Sequence, residues 1–321
     1  MGDFSLLDPI TVIEAAESVL DRGFSNLSLP LPSYINRVYE LEDDEGERVV
    51  IKFYRPGRWT DRAVMEEHRF ILDCYEAEIP VVPPMVLEGG STLARWENIC
   101  FAVFPKRSGR DFDSDSADAY IRLGSLLGRL HRVSAMRPAA ERYTLTPAGL
   151  TAVFVEEIMG SGYIDSGHRQ PFKEVCDEII RISEPLFEGK RRLRCHGDCH
   201  RGNILDRPGD GLLLIDFDDM LNGPAVQDMW MLLPGRADDS RQELELILEG
   251  YSEFNAFDRD ELNLIEPLRA MRMIYYLAWC ARQAGDYSFE RNHPGWGNDH
   301  FWQAEVTDLR TQLDEIKETL S

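Results

Sequence analysis

The sequence predicts a protein of the α+β class, in which a β-rich N-terminal part precedes a larger, mostly helical part. Two observations lead to this prediction. Segments rich in β-branched and aromatic residues are concentrated in the first third of the chain, whereas apolar residues at helical spacing dominate the remainder. The character changes near residue 105, so we expect one lobe formed by residues 1–105 and a second formed by residues 106–321, each long enough to bury a core.

The β-rich part is expected to contain a hairpin at residues 33–54. A polar turn at residues 43–46 separates two runs of high β propensity. A helix is expected at residues 60–74, where apolar residues recur at helical spacing. A further strand at residues 99–104 stops at Pro105, because proline has no N–H group to donate to a sheet.

The mostly helical part is expected to begin with an amphipathic helix at residues 117–133, followed by a second helical stretch at residues 170–186. A short buried strand at residues 212–217 interrupts this pattern. The final hundred residues are again helical, with a clear repeat of apolar residues between positions 262 and 277. The interruption follows a polar segment, which makes that region a candidate for chemistry.

Charge and cysteine content limit the classes of partner. The chain has 57 acidic and 35 basic side chains, a formal net charge of -22 that would repel nucleic-acid phosphates and anionic lipids. We therefore expect neither a nucleic-acid nor a membrane partner. The N-terminus lacks the basic and apolar segments of a secretory signal. The cysteines show no disulfide-framework spacing, so we expect reduced thiols in a cytoplasmic protein.

The segment CHGDCH at residues 195–200 concentrates side chains that bind metals in other proteins. Attachment of haem requires the order C-x-x-C-H, whereas these two cysteines stand four positions apart. A tetrahedral zinc site usually takes pairs of ligands from two separate segments, which six consecutive residues do not provide. We therefore interpret both cysteines as residues that pack a loop.

The spacing of the polar residues in this region indicates phosphoryl transfer. Asn203 follows Asp198 by five positions, and Asp216 comes at the end of the apolar strand, in the order H-x-D-x-x-x-x-N and then D-F. Asp198 would orient an acceptor hydroxyl and take its proton. Oxygen atoms of Asn203 and Asp216 would bind Mg²⁺. His196 is interpreted as a residue that braces the loop.

Lys52 lies inside the second strand of the expected hairpin. In phosphotransferases a lysine at such a position contacts the phosphates of the nucleotide. Glu66 and Glu67, on the next expected helix, are candidates for an ion pair with this lysine. The alternative is that these charged side chains only face solvent.

Taken together, these motifs resemble the aminoglycoside phosphotransferase and choline kinase superfamily. The segment HGDCHRGNILDRPGDGLLLIDFDDMLNGPAVQD is similar to its catalytic signature. The segments SYINRVYEL, VVIKFYRPGRW, EEHRF and FAVFPKRSGR match, in order, a bacterial group of stress-response serine/threonine protein kinases within it. The resemblance covers nearly the whole chain. It implies a bilobal protein-kinase-like fold, with a β-rich N-lobe, a mostly helical C-lobe and ATP between them.

The resemblance also implies roles for the motif residues. Asp198 resembles the catalytic base. Asp216 resembles a second catalytic residue that, with Asn203, holds Mg²⁺. Lys52 resembles the contact to the α- and β-phosphates of ATP, and Glu67 is preferred over its neighbour as the acid that pairs with this lysine.

Three further positions follow from the resemblance. Ser33 lies in the loop expected to cover the nucleotide, and Phe104-Pro105 resembles the hinge whose backbone would bind adenine. Asp228 resembles the buried acid that holds the catalytic loop. No G-x-G-x-x-G motif precedes Lys52, and the segment between Asp216 and Asp228 is too short for a long activation loop.

We therefore expect a monomeric, ATP- and Mg²⁺-dependent serine/threonine protein kinase of the stress-response type, which would also phosphorylate itself. An alternative is a small-molecule kinase that acts on an aminoglycoside, choline, homoserine or a sugar alcohol. Acidic and aromatic residues of the helical part would then bind a cationic acceptor, or else only pack and face solvent: Asp219, Glu253, Tyr275, Trp279, Trp296 and Trp302. A third hypothesis, an inactive scaffold, requires the loss of a motif residue, and none is lost.

Overall fold

The structure is a computed structural model that describes residue 4 and residues 6–33, 35–113, 116–285 and 289–321. Over these residues an antiparallel sheet with two helices forms the N-terminal part and helices dominate the rest, which confirms the α+β organisation. Tyr34, in the loop predicted to cover a nucleotide, lies outside the described residues.

The N-terminal elements are α1 (Pro9–Glu17), β1 (Phe24–Leu31), β2 (Arg37–Asp43), β3 (Arg48–Phe53), α2 (Asp61–Glu76), β4 (Ala94–Trp96) and β5 (Ile99–Pro105). The strands pair in the order β1-β2-β3-β5-β4, and each neighbouring pair is antiparallel. Lys52 of β3 lies opposite Val38 of β2 and Ala102 of β5, so it occupies the middle of the sheet. Helix α2 begins after Thr60, whose side chain accepts a hydrogen bond from the N–H of Ala63 at 3.1 Å.

The C-terminal elements are β6 (Arg110–Asp111), α3 (Ala117–Ser134), α4 (Ala152–Gly160), α5 (Ser166–Ser183), β7 (Leu193–Cys195), β8 (Ile204–Arg207), β9 (Gly211–Leu214), β10 (Leu221–Gly223), α6 (Arg241–Ser252), α7 (Ile265–Gln283), α8 (Phe289–Asn292) and α9 (Asp299–Thr319). A π-helical turn, Pro147–Thr151, leads into α4. Turns of 3₁₀ helix lie at Glu184–Phe187, Arg201–Asn203, Ala225–Asp228, Trp230–Leu232 and Arg259–Leu264.

Two boundaries differ from the expectation. The helix expected at residues 170–186 begins at Ser166, because the Asp165 side chain caps it by accepting hydrogen bonds from the N–H groups of Gly167 and His168 at 2.7 and 3.1 Å. The strand expected at residues 212–217 ends earlier, at the last residue of β9. The residues that follow β9 leave the sheet and enter the candidate site.

Helices α3 and α6 pack against each other through glycines. A Cβ atom on Gly124 of α3 would lie 1.9 Å from the carbonyl oxygen of Ile247, and one on Gly250 of α6 would lie 2.0 Å from that of Ile121. Only glycine allows the two backbones to approach so closely. This contact fixes the position of α3, whose residue His131 supports the catalytic loop described below.

A buried aromatic pair connects the N-terminal part to the candidate site. Phe70 of α2 packs edge-on against Phe217, which follows β9, with ring centroids 5.6 Å apart. Both belong to a core cluster that also contains buried residues of α3, α6 and β7. Of the helices in the described part of the chain, none combines the length and the low polarity that a bilayer span requires.

Candidate active site

The loop between β7 and β8 carries the H-x-D-x-x-x-x-N motif, and a buried carboxylate holds its first turn. Asp228 accepts hydrogen bonds from the N–H groups of His196 and Gly197 at 2.7 and 2.9 Å, and from Nε2 of His131 at 3.0 Å. Gly197 has a φ of +87°, and a Cβ atom there would lie 2.1 Å from the carbonyl oxygen of Asp219. The motif therefore needs glycine at this position for two independent reasons.

His196 joins this loop to the segment after β9. Its Nε2 donates to the carbonyl oxygen of Ile215 at 2.9 Å, and its buried ring packs against Phe217 with centroids 4.5 Å apart. On the other side of the ring, Nδ1 accepts a hydrogen bond from the N–H of Asp198 at 3.4 Å. In this structure His196 braces the loop.

Asp198 and Asn203 face each other across the loop. Nδ2 of Asn203 donates to the backbone oxygen of Asp198 at 2.9 Å, which leaves the amide oxygen of Asn203 available as a ligand. The Asp198 carboxylate lies 2.6 Å from Arg272 and 3.5 Å from His200. Burial would raise the pKa of Asp198, but the hydrogen bond from His200 and the charge of Arg272 lower it to about 2. The carboxylate is therefore ionised at neutral pH.

Lys52 brings the sheet and the segment after β9 together. Its Nζ donates to Asp216 Oδ1 at 2.8 Å and to Glu67 Oε1 at 3.4 Å, and lies 3.6 Å from Asp218 Oδ1. The lysine side chain is only 8% exposed. Burial would lower the pKa of Lys52, but the three carboxylates together raise it well above its usual value. Lys52 is therefore a buried ammonium group surrounded by acids.

Glu67, and not Glu66, pairs with Lys52. Glu67 is buried and also accepts a hydrogen bond from Nη2 of Arg142 at 2.9 Å. Burial raises the pKa of Glu67, while the charges of Lys52 and Arg142 oppose that rise. Glu66 is turned away and accepts hydrogen bonds from two backbone N–H groups of the segment before Arg142, each at 2.8 Å.

Asp216 adopts a conformation that is uncommon for residues other than glycine. Its φ is +60°, and its side chain is 51% exposed, which contrasts with its buried partner Lys52. Strained backbone of this kind occurs most often at functional sites. The conformation directs the segment out of β9 and leaves the carboxylate accessible to a ligand.

The donor atoms of this site fit a hard divalent cation. Asp216 offers an accessible carboxylate and Asn203 an amide oxygen, and Oδ1 of Asp218 is buried without a hydrogen-bond donor among the described residues. Oxygen donors of this type suit Mg²⁺. Cys195 and Cys199, in contrast, are fully buried, and burial raises the pKa of both thiols well above the usual value. Both cysteines pack the loop.

Three arginines that no sequence motif marks enter the site: Arg272, which contacts Asp198 as described above, and Arg142 and Arg58. Arg142 is fully buried and also donates from Nη1 to the backbone oxygen of Asp218 at 2.7 Å. Arg58 contacts the Asp218 carboxylate and donates to Asp219 at 2.5 Å. Arg58 lies in the segment VVIKFYRPGRW and could have been singled out there, whereas no local pattern marks Arg142. These two arginines also affect the pKa of Asp218. Burial would raise this pKa, but the positive charges of Arg58, Lys52 and Arg142 lower it below its usual value.

Ser33 and the expected hinge, Phe104-Pro105, belong to the N-terminal part of the chain. Ser33 is half-buried in the loop between β1 and β2, and no hydrogen bond joins it to Lys52 or Asp216 in the residues that the structure describes. Phe104-Pro105 ends β5, directly before the chain enters the C-terminal part. Their contacts with a nucleotide remain predictions.

A cavity of about 900 Å³ opens beside the catalytic loop. Gly197 and Asp219 contribute to its wall, together with the segment after β3 that contains Arg58 and with residues of α4 and α7. Three of the residues considered as acceptor contacts line it, namely Asp219, Tyr275 and Trp279. Trp302 instead is buried in the core formed by α5, α7 and α9.

Solved structures with the same fold cover nearly the whole chain. Amicoumacin kinase hAmiN in complex with AMP-PNP, Ca²⁺ and Ami aligns with a TM-score of 0.75 and 18% identity, over 96% of this chain and 94% of that one. A microcompartment-associated aminopropanol kinase gives 0.70 and 17%, over 97% of both chains. Spectinomycin phosphotransferase APH(9)-Ia with ADP gives 0.66 and 15%, over 95% and 98%. These similarities establish the kinase-like fold.

Curated relatives are much more similar in sequence. The chain is 40% identical over 319 residues to stress response kinase A of Escherichia coli K12, which covers 98% of this chain and 95% of that protein. It is 40% identical over 323 residues, with the same coverage, to serine/threonine protein kinase RdoA of Salmonella typhimurium. The model of the phosphotransferase enzyme family, APH, matches residues 29–265. The chain is therefore a phosphotransferase and belongs to this enzyme family, in which its full length is similar to the stress response kinases.

Proposed function

We propose that this enzyme is an ATP- and Mg²⁺-dependent serine/threonine protein kinase of the stress-response type. The observation that carries the proposal is the convergence of Lys52, Glu67 and Asp216 in one ion-pair cluster, next to the loop with Asp198 and Asn203. A buried lysine beside accessible oxygen ligands and an ionised carboxylate is the arrangement that phosphoryl transfer requires.

Each residue would contribute a separate part of the reaction. Lys52, held by Glu67, would bind phosphate oxygens of ATP, and Asn203 and Asp216 would hold Mg²⁺. Bound Mg²⁺ supplies positive charge that stabilises the phosphate oxygens in the transition state. Asp198 would orient the acceptor hydroxyl with Oδ2, which Arg272 does not contact and which lies 3.5 Å from Nε2 of His200, and would accept its proton.

The identity of the acceptor as protein is supported by the relatives. They are 40% identical over 98% of this chain, and one of them is named a serine/threonine protein kinase. The proposal includes phosphorylation of the enzyme itself, a monomeric state and a cytoplasmic location. In the cytoplasm ATP is available, and the cysteines, all free in this structure, would remain reduced.

The test is transfer of labelled γ-phosphate from ATP to a mixture of basic and acidic proteins, with and without Mg²⁺. Asp198→Asn should reduce transfer by about a hundredfold to ten-thousandfold, because the general base is removed. Asp177→Asn, on the exposed face of α5, is the matched control and should behave like the unchanged enzyme. Label that appears in protein without Mg²⁺, or in the Asp198→Asn variant at the normal rate, would contradict the proposal.

A second candidate is a small-molecule kinase, and the cavity is the observation that favours it. Its volume of about 900 Å³ lies within the range of ligand pockets, roughly 300–1,000 Å³. The solved structures with this fold include kinases named for small molecules. A panel of alcohols in the same assay separates the candidates, because label would then appear in a small product and not in protein.

A further inference from the structure

One face of α7 forms a wall of the cavity beside the catalytic loop. Most of its cavity-lining residues lie three or four positions apart, namely Leu268, Met271, Arg272, Tyr275, Ala278, Trp279 and Arg282, and Ala281 and Gln283 join them at the C-terminal end. Arg272 is at the catalytic end, where it contacts Asp198 at 2.6 Å. Arg282 follows ten positions later, which places it roughly 15 Å further along the helix axis. The wall therefore has a basic residue near each end.

Arginines outnumber acids among the residues that line the cavity, although the whole protein is acidic. Among the described residues, four arginines and two acids line the cavity: Arg55, Arg58, Arg272, Arg282, Asp219 and Glu157. The chain as a whole has a formal net charge of -22. Asp198 and Asp218, which pair with Arg272 and Arg58, lie next to the wall and balance part of this charge. An anion can therefore bind only through N–H groups that these ion pairs leave unused.

Both acids of the wall are already engaged by neighbouring side chains. Asp219 accepts hydrogen bonds from Arg58 at 2.5 Å and from the Tyr275 hydroxyl at 3.1 Å. Oε2 of Glu157 accepts from Nε and Nη2 of Arg282 at 2.9 and 2.5 Å. A cationic acceptor would have to displace these partners, so the wall is poorly suited to bind an amine.

Arg272, in contrast, has N–H groups that are not used in hydrogen bonds to the described residues. Its Nη2 donates to Asp198, and its guanidinium lies 5.0 Å from the centroid of the Tyr275 ring. Nε and Nη1 make no hydrogen bond to any residue that the structure describes, and the side chain is 35% exposed. These two N–H groups are available to a carboxylate or phosphate next to the catalytic aspartate.

We propose that the acceptor enters this cavity and carries an anionic group, a carboxylate or a phosphate, that Arg272 binds beside the reacting hydroxyl. This inference rests on the proposed kinase function. The acceptor hydroxyl gives its proton to Asp198, and its oxygen bonds to the γ-phosphorus of ATP. The bond from that phosphorus to the bridging oxygen breaks, and ADP leaves. Two kinds of acceptor combine a hydroxyl with a nearby anionic group: a polypeptide with an acidic residue next to a serine, and a small hydroxy acid.

Binding can be measured without turnover, because Trp59 and Trp279 line the cavity. The test follows their fluorescence on titration with glycerate, glycerol and aminopropanediol, which share a carbon skeleton and differ in charge, in the presence of Mg²⁺ and a non-hydrolysable ATP analogue. Glycerate should bind about tenfold or more tightly than the other two, the effect of one charge-assisted hydrogen bond. Equal binding, or tighter binding of the amine, would overturn the proposal.

Single-residue variants show which side chain causes the tighter binding of glycerate. Arg272→Met should abolish the preference for glycerate, whereas Arg272→Lys, which keeps the charge, should retain most of it. Glu157→Gln removes an acid from the far end of the wall and should preserve or increase the preference. An unchanged preference in Arg272→Met would show that this residue is not the anion contact.

Turnover assays separate this inference from the proposed function and identify the source of the anion. Serine peptides flanked by aspartate, asparagine or lysine are compared with the same three small alcohols. Phosphorylation of the aspartate peptide alone assigns the anion to a polypeptide, and phosphorylation of glycerate alone assigns it to a metabolite. Preferred phosphorylation of the lysine peptide or of the amine overturns the anion inference but leaves the kinase function intact. Binding of glycerate without transfer to any alcohol supports the anion site and refutes the kinase proposal.

Discussion

Lys52 of the N-terminal sheet donates a 2.8 Å hydrogen bond to Asp216, which follows the buried strand β9 of the C-terminal part. The lysine is buried and the aspartate is half exposed. The ion pair therefore closes one side of the site while its outer partner stays open to ligands. Under the proposed function, Lys52 would bind phosphate and Asp216 would bind the cation, so the ion pair would hold both groups in place before the nucleotide binds.

The first prediction concerns Asp216. Asp216→Ala should reduce Mg²⁺-dependent phosphoryl transfer by more than about a hundredfold, because an oxygen ligand of the cation is lost. The fold should persist, since Lys52 keeps Glu67 at 3.4 Å and Asp218 at 3.6 Å. Initial rates over a Mg²⁺ titration and thermal unfolding check both parts. Near-normal turnover in this variant would refute the metal assignment.

The second prediction concerns Arg142, which is buried against Glu67 at 2.9 Å. Arg142→Met should lower the free energy of unfolding by about 3–5 kcal/mol, because it leaves a buried carboxylate with one cationic partner fewer. Adding Glu67→Gln should restore part of the loss, since the two residues are coupled. Urea unfolding of the two single variants and the double variant measures the coupling. Strictly additive losses would show that the pair does not act as a unit.

The third prediction concerns Gly197 and uses Gly209 as a matched control. The two glycines have φ values of +87° and +90°, but only at Gly197 does an added Cβ meet another atom, 2.1 Å from the backbone of Asp219. Gly209→Ala should cost about 1 kcal/mol of stability through backbone strain alone. Gly197→Ala should cost more and should also reduce activity, because the loop with Asp198 must move. Equal effects in urea unfolding and in activity would contradict this account.

The fourth prediction concerns the pH dependence of stability. His68 is fully buried between the hydroxyl groups of Tyr54 and Thr92, at 2.9 and 2.8 Å. Burial, reinforced by the charges of nearby Lys52 and Arg142, lowers its pKa to about 3 from an ordinary 6.5. Below pH 6.5 the unfolded chain takes up a proton that the folded protein does not accept until about pH 3, so acidification favours unfolding.

The variant His68→Gln measures how much His68 contributes to the loss of stability at low pH. Between about pH 7 and pH 4 the histidine should remove about 2–3 kcal/mol from the free energy of unfolding. Carboxylate titrations are shared by both proteins, so the difference between their urea-unfolding curves at each pH reports the histidine. Parallel pH profiles for the two proteins would rule out this contribution.

Local sequence patterns predict some elements of the fold but not others. The hairpin β2–β3, the strand β5 and the helices α2 and α3 follow from runs of β propensity and from helical periodicity. No such pattern marks α1, β1 or β4. Strand β1 reads FSNLSLPL and contains an asparagine and a proline, which disfavour strands, and β4 has only three residues. These elements depend on packing against the rest of the sheet.

By itself the sequence determined the α+β class, the order of the two parts and the local motif from His196 to Asp216. These are properties of neighbouring residues, set by propensity, periodicity and short spacing. Only the tertiary structure decided that Lys52 meets Glu67 instead of Glu66, and that Arg142 and Arg272 reach the site. Ion pairs between distant positions depend on how helices and strands pack, and no local pattern records that packing.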